Sequence, residues 1–207
     1  DGVFATVETP GSTFLHSVAV RDSNNVGEPE VVTGGLVSGT SFVNSYSLHP
    51  RVSDSSATPV FSQSASQQFE TVPLVGDSTI TFGGAKGKTF FYTFSGLGID
   101  SFQRFSDSVA IVGVSQISGR NTVVLATSNG TIDVVAPNSA VFPSTARNFG
   151  KSIAAPAVTG LFAGEERIAF ATTDGSVFLL NRSLIPVQGF PVNTGASIQQ
   201  PPALADV

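Results

Sequence analysis

One stretch of this chain is repeated further along it. Ala126-Thr127-Ser128-Asn129-Gly130-Thr131-Ile132 aligns without gaps to Ala171-Thr172-Thr173-Asp174-Gly175-Ser176-Val177, an offset of 45 residues from position 126 to position 171. Ser152-Ile153 and Pro156-Ala157 return at the same offset as Ser197-Ile198 and Pro201-Pro202. Two more diverged copies lie upstream, Glu30-Val31-Val32-Thr33-Gly34-Gly35 and Thr79-Ile80-Thr81-Phe82-Gly83-Gly84. Taking Val31, Ile80, Val123 and Ile168 as equivalent gives spacings of 49, 43 and 45. A period in the forties is the length of one four-stranded β unit.

The strands of a unit are legible. Val123-Val124-Leu125-Ala126-Thr127 is a short apolar run, as for a strand buried on both faces. Asn129-Gly130 supplies two residues that tolerate positive φ, which predicts a type I′ hairpin. Thr131-Ile132-Asp133-Val134 alternates polar and apolar, which predicts a half-buried partner strand. Arg167 to Thr172, Asp174-Gly175 and Ser176 to Leu180 repeat the pattern. A period of 3.6 is sustained nowhere, and only Asp100 to Phe105 is allowed a helical turn. The expected fold is therefore all-β, a β-propeller of four-stranded antiparallel blades. The expected blades are 14–60, 61–106, 107–151 and 152–196, with 197–207 opening the next. Helical solenoids fail on periodicity, leucine-rich repeats on period, and a β-sandwich gives no such internal echo.

Composition narrows the partners. Charged residues make up 12% of the chain, against about 25% in an average domain, and Ser, Thr, Asn and Gln supply the polar remainder. The net charge of −5, with no basic run, argues against nucleic acid as a partner. No apolar stretch approaches the roughly 20 residues of a membrane-spanning helix, so no membrane insertion is expected. The chain has no Cys, which removes disulfides and thiolate chemistry, and no Met. It opens at Asp1, as a mature or excised product would.

Val187-Gln188-Gly189-Phe190-Pro191-Val192-Asn193-Thr194-Gly195, with Ser197-Ile198 and Pro202-Ala203-Leu204-Ala205-Asp206-Val207, resembles the FG-GAP/VCBS-type propeller repeats of secreted bacterial and archaeal proteins, which look much like PQQ-type repeats. Val18 to Val32 is similar to the acidic metal loop and following strand of that family. The resemblance covers about residues 108–207 and 17–35. It implies a location outside the cell or on its surface. It also implies a partial ring, since the chain stops at Val207, where the next acidic loop would begin with Asp206.

The resemblance further implies a calcium site in the loop from Asp22 to Glu30. Asp22, Asn24 and Glu30 would give side-chain oxygens, and Val26 and Glu28 backbone carbonyls. Val26 stands where the family has a carboxylate or amide, so a metal-free turn remains the competing reading. In the later units Val114, Gln116 and Ser118 before Gly119, and Thr159, Leu161 and Ala163 before Gly164, keep the glycine of this loop and lose its ligands.

The remaining motifs have plain structural readings. Gly83-Gly84-Ala85-Lys86-Gly87-Lys88-Thr89 suggests a phosphate loop, but Phe82 occupies the position of its first glycine and a strand-like run follows, so a glycine-rich hairpin is expected. His16 and His49 are the only histidines, and neither pairs by spacing with a nucleophile and an acid. Glu165-Glu166 reads as solvated charge on a turn. No Trp is present for the docking motifs of quinoprotein propellers. Asn129-Gly130-Thr131 and Asn181-Arg182-Ser183 fit N-glycosylation acceptors at expected turns. With no catalytic constellation, the expected function is a non-enzymatic module for adhesion or assembly. Its partners would be protein, glycan, further blades or a second copy. The alternative is the propeller part of a secreted carbohydrate-active enzyme or protease.

Overall fold

The computed structural model describes residues 12–22, 29–37, 40–47, 61–76, 79–93, 98–117, 122–135, 144–162 and 164–205. The described residues form strands, turns and connections, with no helix among them. Four antiparallel sheets follow one another along the chain, each a four-stranded meander in which sequence neighbours pair. The first holds β1 (Ser12–Asp22), β2 (Pro29–Val37), β3 (Thr40–Ser47) and β4 (Phe61–Ala65). The second holds β5 (Leu74–Val75), β6 (Thr79–Gly83), β7 (Lys88–Thr93) and β8 (Gly98–Gln103). The third holds β9 (Ile111–Gln116), β10 (Val123–Thr127), β11 (Thr131–Val135) and β12 (Ser144–Asn148). The fourth holds β13 (Val158–Phe162), β14 (Glu165–Ala171), β15 (Ser176–Asn181) and β16 (Val192–Asn193).

The sheets stack face to face, and the alternation of side chains along each strand decides what meets what. In β10, Val123 and Leu125 join Phe91, Ile111, Val114 and Val135 between the second and third sheets. Val124 and Ala126, one residue out of step, join Ile132, Val134, Ile168, Phe170, Phe178 and Leu180 between the third and fourth. The first and second sheets close over Val32, Val43, Phe69, Ile80, Phe82 and Phe90. Burying each of these large side chains stabilises by about 1.5–3 kcal/mol. Ring stacking adds specificity: Phe69 lies 4.2 Å from Phe82, and Phe170 lies 4.7 Å from Phe178, both nearly parallel. The opening strands β1, β5, β9 and β13 touch in succession, so one edge of every sheet converges on a common side.

Close approach between sheets demands small residues. A Cβ on Gly113 of β9 would lie 2.1 Å from the Pro156 Cα, in the segment entering the fourth sheet. No side-chain rotation relieves a backbone clash of that size.

Several expectations need correction. Asp100 to Phe105 forms no helical turn: Gly98–Gln103 is strand β8, paired with β7 through Phe91↔Asp100 and Phe90↔Ser101. The β-ladder offered by Lys88–Thr93 outcompetes a local helical turn. β11 is buried along its whole length, not half-buried, because neighbouring sheets cover both its faces. Glu165-Glu166 open strand β14, opposite Phe162 and Leu161, and the turn before them is made at Gly164. β4 begins at Phe61 and pairs with β3, so the strand that completes the first sheet follows residue 60.

Full burial of β11 places one carboxylate inside. The Asp133 side chain is wholly buried, and the Arg104 Nε reaches its Oδ2 at 2.5 Å from the segment after β8. The pair therefore ties the second sheet to the third. Its Oδ1 has no partner among the described residues. An uncompensated buried carboxylate is costly, so Arg104→Ala should lower stability by about 3 kcal/mol. Arg104→Met with Asp133→Leu should recover most of that loss. Urea unfolding of the two variants checks both statements; equal stability of Arg104→Ala and the parent chain would show the pair to be idle.

Candidate functional site

The second-to-third-strand hairpins of the last three sheets end on the same side, and their tips are built alike. In the third sheet the Gly130 N–H donates to the Thr127 carbonyl at 3.0 Å, and Gly130 takes φ 88°. In the fourth the Gly175 N–H donates to the Thr172 carbonyl at 3.0 Å, with φ 92°. Asn129 and Asp174 do not take positive φ. The expected type I′ turn is thus replaced by a three-residue loop with a single left-handed glycine, the pattern that accompanies a G1 bulge.

A buried threonine staples the tips of the third and fourth sheets; Gly84 stands at that position in the second. Thr127 Oγ1 accepts from the Thr131 N–H at 2.9 Å and donates to Asn129 Oδ1 at 2.8 Å. Thr172 Oγ1 accepts from the Ser176 N–H at 3.2 Å and donates to Asp174 Oδ1 at 2.6 Å. The tips are also held by chain segments on either side. Tip amides of Ala85, Ser128 and Thr173 each donate at 2.9 Å to the segment entering their own sheet, at the carbonyls of Gln68, Ala110 and Ser152. Tip carbonyls of Gly87, Gly130 and Gly175 accept from the departing segments, at Phe105, Phe149 and Thr194. A Cβ at Gly130 or Gly175 would lie 2.1 or 2.3 Å from the carbonyl oxygen of Lys151 or Ala196, which is why both positions are glycine.

The outcome is a row of rigid, polar tips. Lys86, Gln103, Asp107, Asn129, Asn148 and Asp174 are exposed along it. Lys151 Nζ bridges from one sheet to the next, donating to Asp174 Oδ2 and, at 3.1 Å, to Ser176 Oγ. The Lys151 ammonium, helped by the Thr172 hydroxyl, holds the Asp174 carboxyl well below the usual carboxylate range.

The sequence-derived candidates fall in several places. Asp22 ends β1 opposite Pro29, and Glu30 follows in β2 opposite Arg21. Asn24, Val26 and Glu28 of the same candidate calcium loop lie outside the described residues, as do His49 and Asp206. Among the described residues no three His, Asp or Glu side chains come together as metal ligands. Val114 and Gln116 are strand residues of β9, and Thr159 and Leu161 of β13, not loop residues. The β13–β14 turn is too short to circle a cation: Phe162 already pairs with Glu165. Gly83 to Thr89 forms the hairpin between β6 and β7, with φ 69° at Gly87. His16 lies in β1. Glu165 pairs with Arg167, and Glu166 lies 3.5 Å from Arg182, at the opposite end of the fourth sheet. Asn129 sits in a tip. Asn181 ends β15, where its Oδ1 accepts the Ser183 and Ile185 amides at 3.0 Å. The Thr127 and Thr172 staples went unread in the sequence, although Thr-x-Asn/Asp-Gly-Thr/Ser recurs at the 45-residue offset and marks them.

The folded Asp174 pKa lies below its unfolded value. Its contribution to stability is therefore present above the unfolded carboxylate pKa of about 4 and fades as pH falls through and below it. Asp174→Asn should flatten the acid-side decline of the melting temperature, by a small amount since the pair is exposed. Thermal melts of both chains across acid pH measure this; identical slopes would contradict the assignment.

No family model and no curated protein matches this chain. Solved structures do. The crystal structure of BBS1N in complex with ARL6DN aligns with a TM-score of 0.62 at 16% identity, over 91% of this chain and 59% of that one. Saccharomyces cerevisiae Sqt1 aligns with a TM-score of 0.67 at 11% identity, over 91% of this chain and 50% of its own. The computationally designed Ika4 protein aligns with a TM-score of 0.64 at 16% identity, over 87% of this chain and 98% of its own. The chain thus spans between half and three fifths of the first two. At these identities the likeness shows the fold alone: four antiparallel sheets arranged as in a β-propeller.

Proposed function

We propose that this chain is a non-enzymatic β-propeller module, working outside the cell in adhesion or assembly, that binds a protein partner through its row of hairpin tips. The observation that carries the reading is the repeated clamp at the tips. Three neighbouring turns are locked to the segments on both sides and present polar side chains outward. A surface fixed before binding loses little conformational entropy on contact. Asn, Asp, Gln and Lys side chains then offer hydrogen bonds of both polarities. BBS1N, a propeller of similar fold, was solved with the protein ARL6DN, which fits this use of the architecture. The extracellular setting rests on the resemblance to secreted propeller repeats.

A photo-crosslinking residue placed at Asn129 or Asp174 should capture a partner from the native surface at several times the yield of one placed at Arg182 or Ile185, on the opposite end. Equal or reversed yields would overturn the tip assignment. Binding of the parent chain on a glycan array, abolished by the Asn129→Arg variant, would replace the protein partner with a carbohydrate.

The loop between Asp22 and Glu30 is proposed as a weak calcium site, again from the family resemblance. A ligand bound only by the folded state stabilises it by about 2.7 kcal/mol at a hundredfold excess over Kd. Calcium should therefore raise the melting temperature by a few degrees, and Asp22→Ala with Glu30→Ala should remove the rise. A melting temperature indifferent to calcium would leave the loop a plain turn.

A further inference from the structure

Asn129-Gly130 is the only Asn-Gly pair in the chain, and Asn129 is exposed at the tip of the third sheet. An asparagine before glycine is open to attack by its own backbone, because no Cβ on the next residue shields the peptide nitrogen from the side-chain carbonyl. In this tip the groups that would have to move are all held. The Gly130 N–H donates to the Thr127 carbonyl at 3.0 Å. The Asn129 carbonyl accepts from Asn148 Nδ2 at 3.2 Å. Asn129 Oδ1 accepts from Thr127 Oγ1 at 2.8 Å and from Thr131 Oγ1 at 3.0 Å. One repeat later the same place holds Asp174-Gly175, and there Asp174 Oδ1 accepts from Thr172 Oγ1 at 2.6 Å. The cradle therefore takes a carboxylate as well as an amide. The glycine is not free to change, since a Cβ at 130 would lie 2.1 Å from the Lys151 carbonyl oxygen.

From this we infer that Asn129 is a deamidation site, that local opening of the hairpin tip sets its rate, and that the aspartate product reseats in the same cradle. The reaction consumes water and releases ammonia. The Gly130 nitrogen attacks Asn129 Cγ, the Cγ–Nδ2 bond breaks, and Nδ2 leaves as ammonia with the proton that the Gly130 nitrogen gives up. The product of this step is a five-membered imide. Water attacking the imide at Cγ breaks the new bond, returns a proton to the Gly130 nitrogen and leaves aspartate. Water attacking at the Asn129 main-chain carbonyl breaks the original peptide bond and leaves isoaspartate, with the chain running through the side chain. The closed tip opposes the first step, because the attacking nitrogen must leave Thr127 and its peptide unit must turn away from Asn148. Attack therefore waits for a local opening. Aspartate restores the parent backbone and adds one negative charge to the row of tips. Isoaspartate adds a methylene to the backbone, which the three-residue loop does not hold. Asp174 is spared the matching cyclisation, since Lys151 keeps it a carboxylate and so a poor electrophile. The chemistry does not depend on what the tips bind, and only its effect on binding rests on the tip assignment.

Peptide mapping by mass spectrometry tests it on the parent chain held at neutral pH, folded in buffer or unfolded in guanidinium chloride. The mass shift of an amide-to-acid exchange is expected at position 129 in both, about tenfold or more slower in the folded chain. Thr127→Val and Asn148→Ala should each speed the folded reaction and leave the rate in denaturant unchanged. Circular dichroism of both should keep the parent β signature. Asn148→Ala, at an exposed side chain, decides the matter if Thr127→Val does not fold. Asn129→Asp should melt as the parent chain does at neutral pH. The inference is overturned if no acid forms at 129 in denaturant, if folded and unfolded chains react at equal rates, or if the folded rate ignores both variants. A clear loss of melting temperature in Asn129→Asp would show that the cradle rejects a carboxylate, and would overturn the reseating.

Discussion

The whole arrangement depends on burial of both faces of each inner sheet. A four-stranded sheet of five-residue strands cannot exclude water from its core alone. Here β10 divides its side chains between two interfaces: Val123 and Leu125 serve one, Val124 and Ala126 the other. Each sheet is at once the lid of the one before and the floor for the one after. Stability is then a property of neighbouring pairs, as in other repeat architectures. The small residues follow from the same demand. Gly34 meets Phe82, Gly83 meets Ile111 and Gly113 meets Pro156, each at a distance no side chain could tolerate.

The tips answer a different requirement. A hairpin end leaves backbone amides and carbonyls without ladder partners, and these must be satisfied. Thr127 and Thr172 satisfy them from within, and the entering and departing segments satisfy them from outside. The consequence is a stiff polar end of the molecule, while the opposite end carries the ion pairs of Glu165 with Arg167 and Glu166 with Arg182. Stability and presentation thus come from the same hydrogen bonds.

Much of the architecture was legible because a repeat exposes what single strands conceal. The copies at 126 and 171 are hairpins of the same kind at the same place in successive sheets, and the apolar run at Val123 is buried on both sides. The errors share a cause. Thr131 to Val134 alternates like a half-exposed strand, yet Asp133 is buried because Arg104 arrives from another sheet to pair with it. Asn129 could adopt the left-handed conformation, yet Gly130 alone does so. Asp100 to Gln103, allowed a helical turn by the sequence, becomes strand once Lys88–Thr93 offers it an edge. The tip residues carried no catalytic signature, and their threonine staples became visible only when both copies were seen to make the same bonds.

The sequence by itself determined the unit and its period: short strands, a glycine at each tip, apolar residues in alternation, four strands to a repeat. Such features depend on local sterics and on the spacing of side chains along one strand. Only the tertiary structure decided which face each strand would show to which neighbour, and that a carboxylate could lie wholly buried between sheets. Those outcomes depend on residues dozens of positions apart meeting across a gap, and no local pattern encodes the partner on the far side.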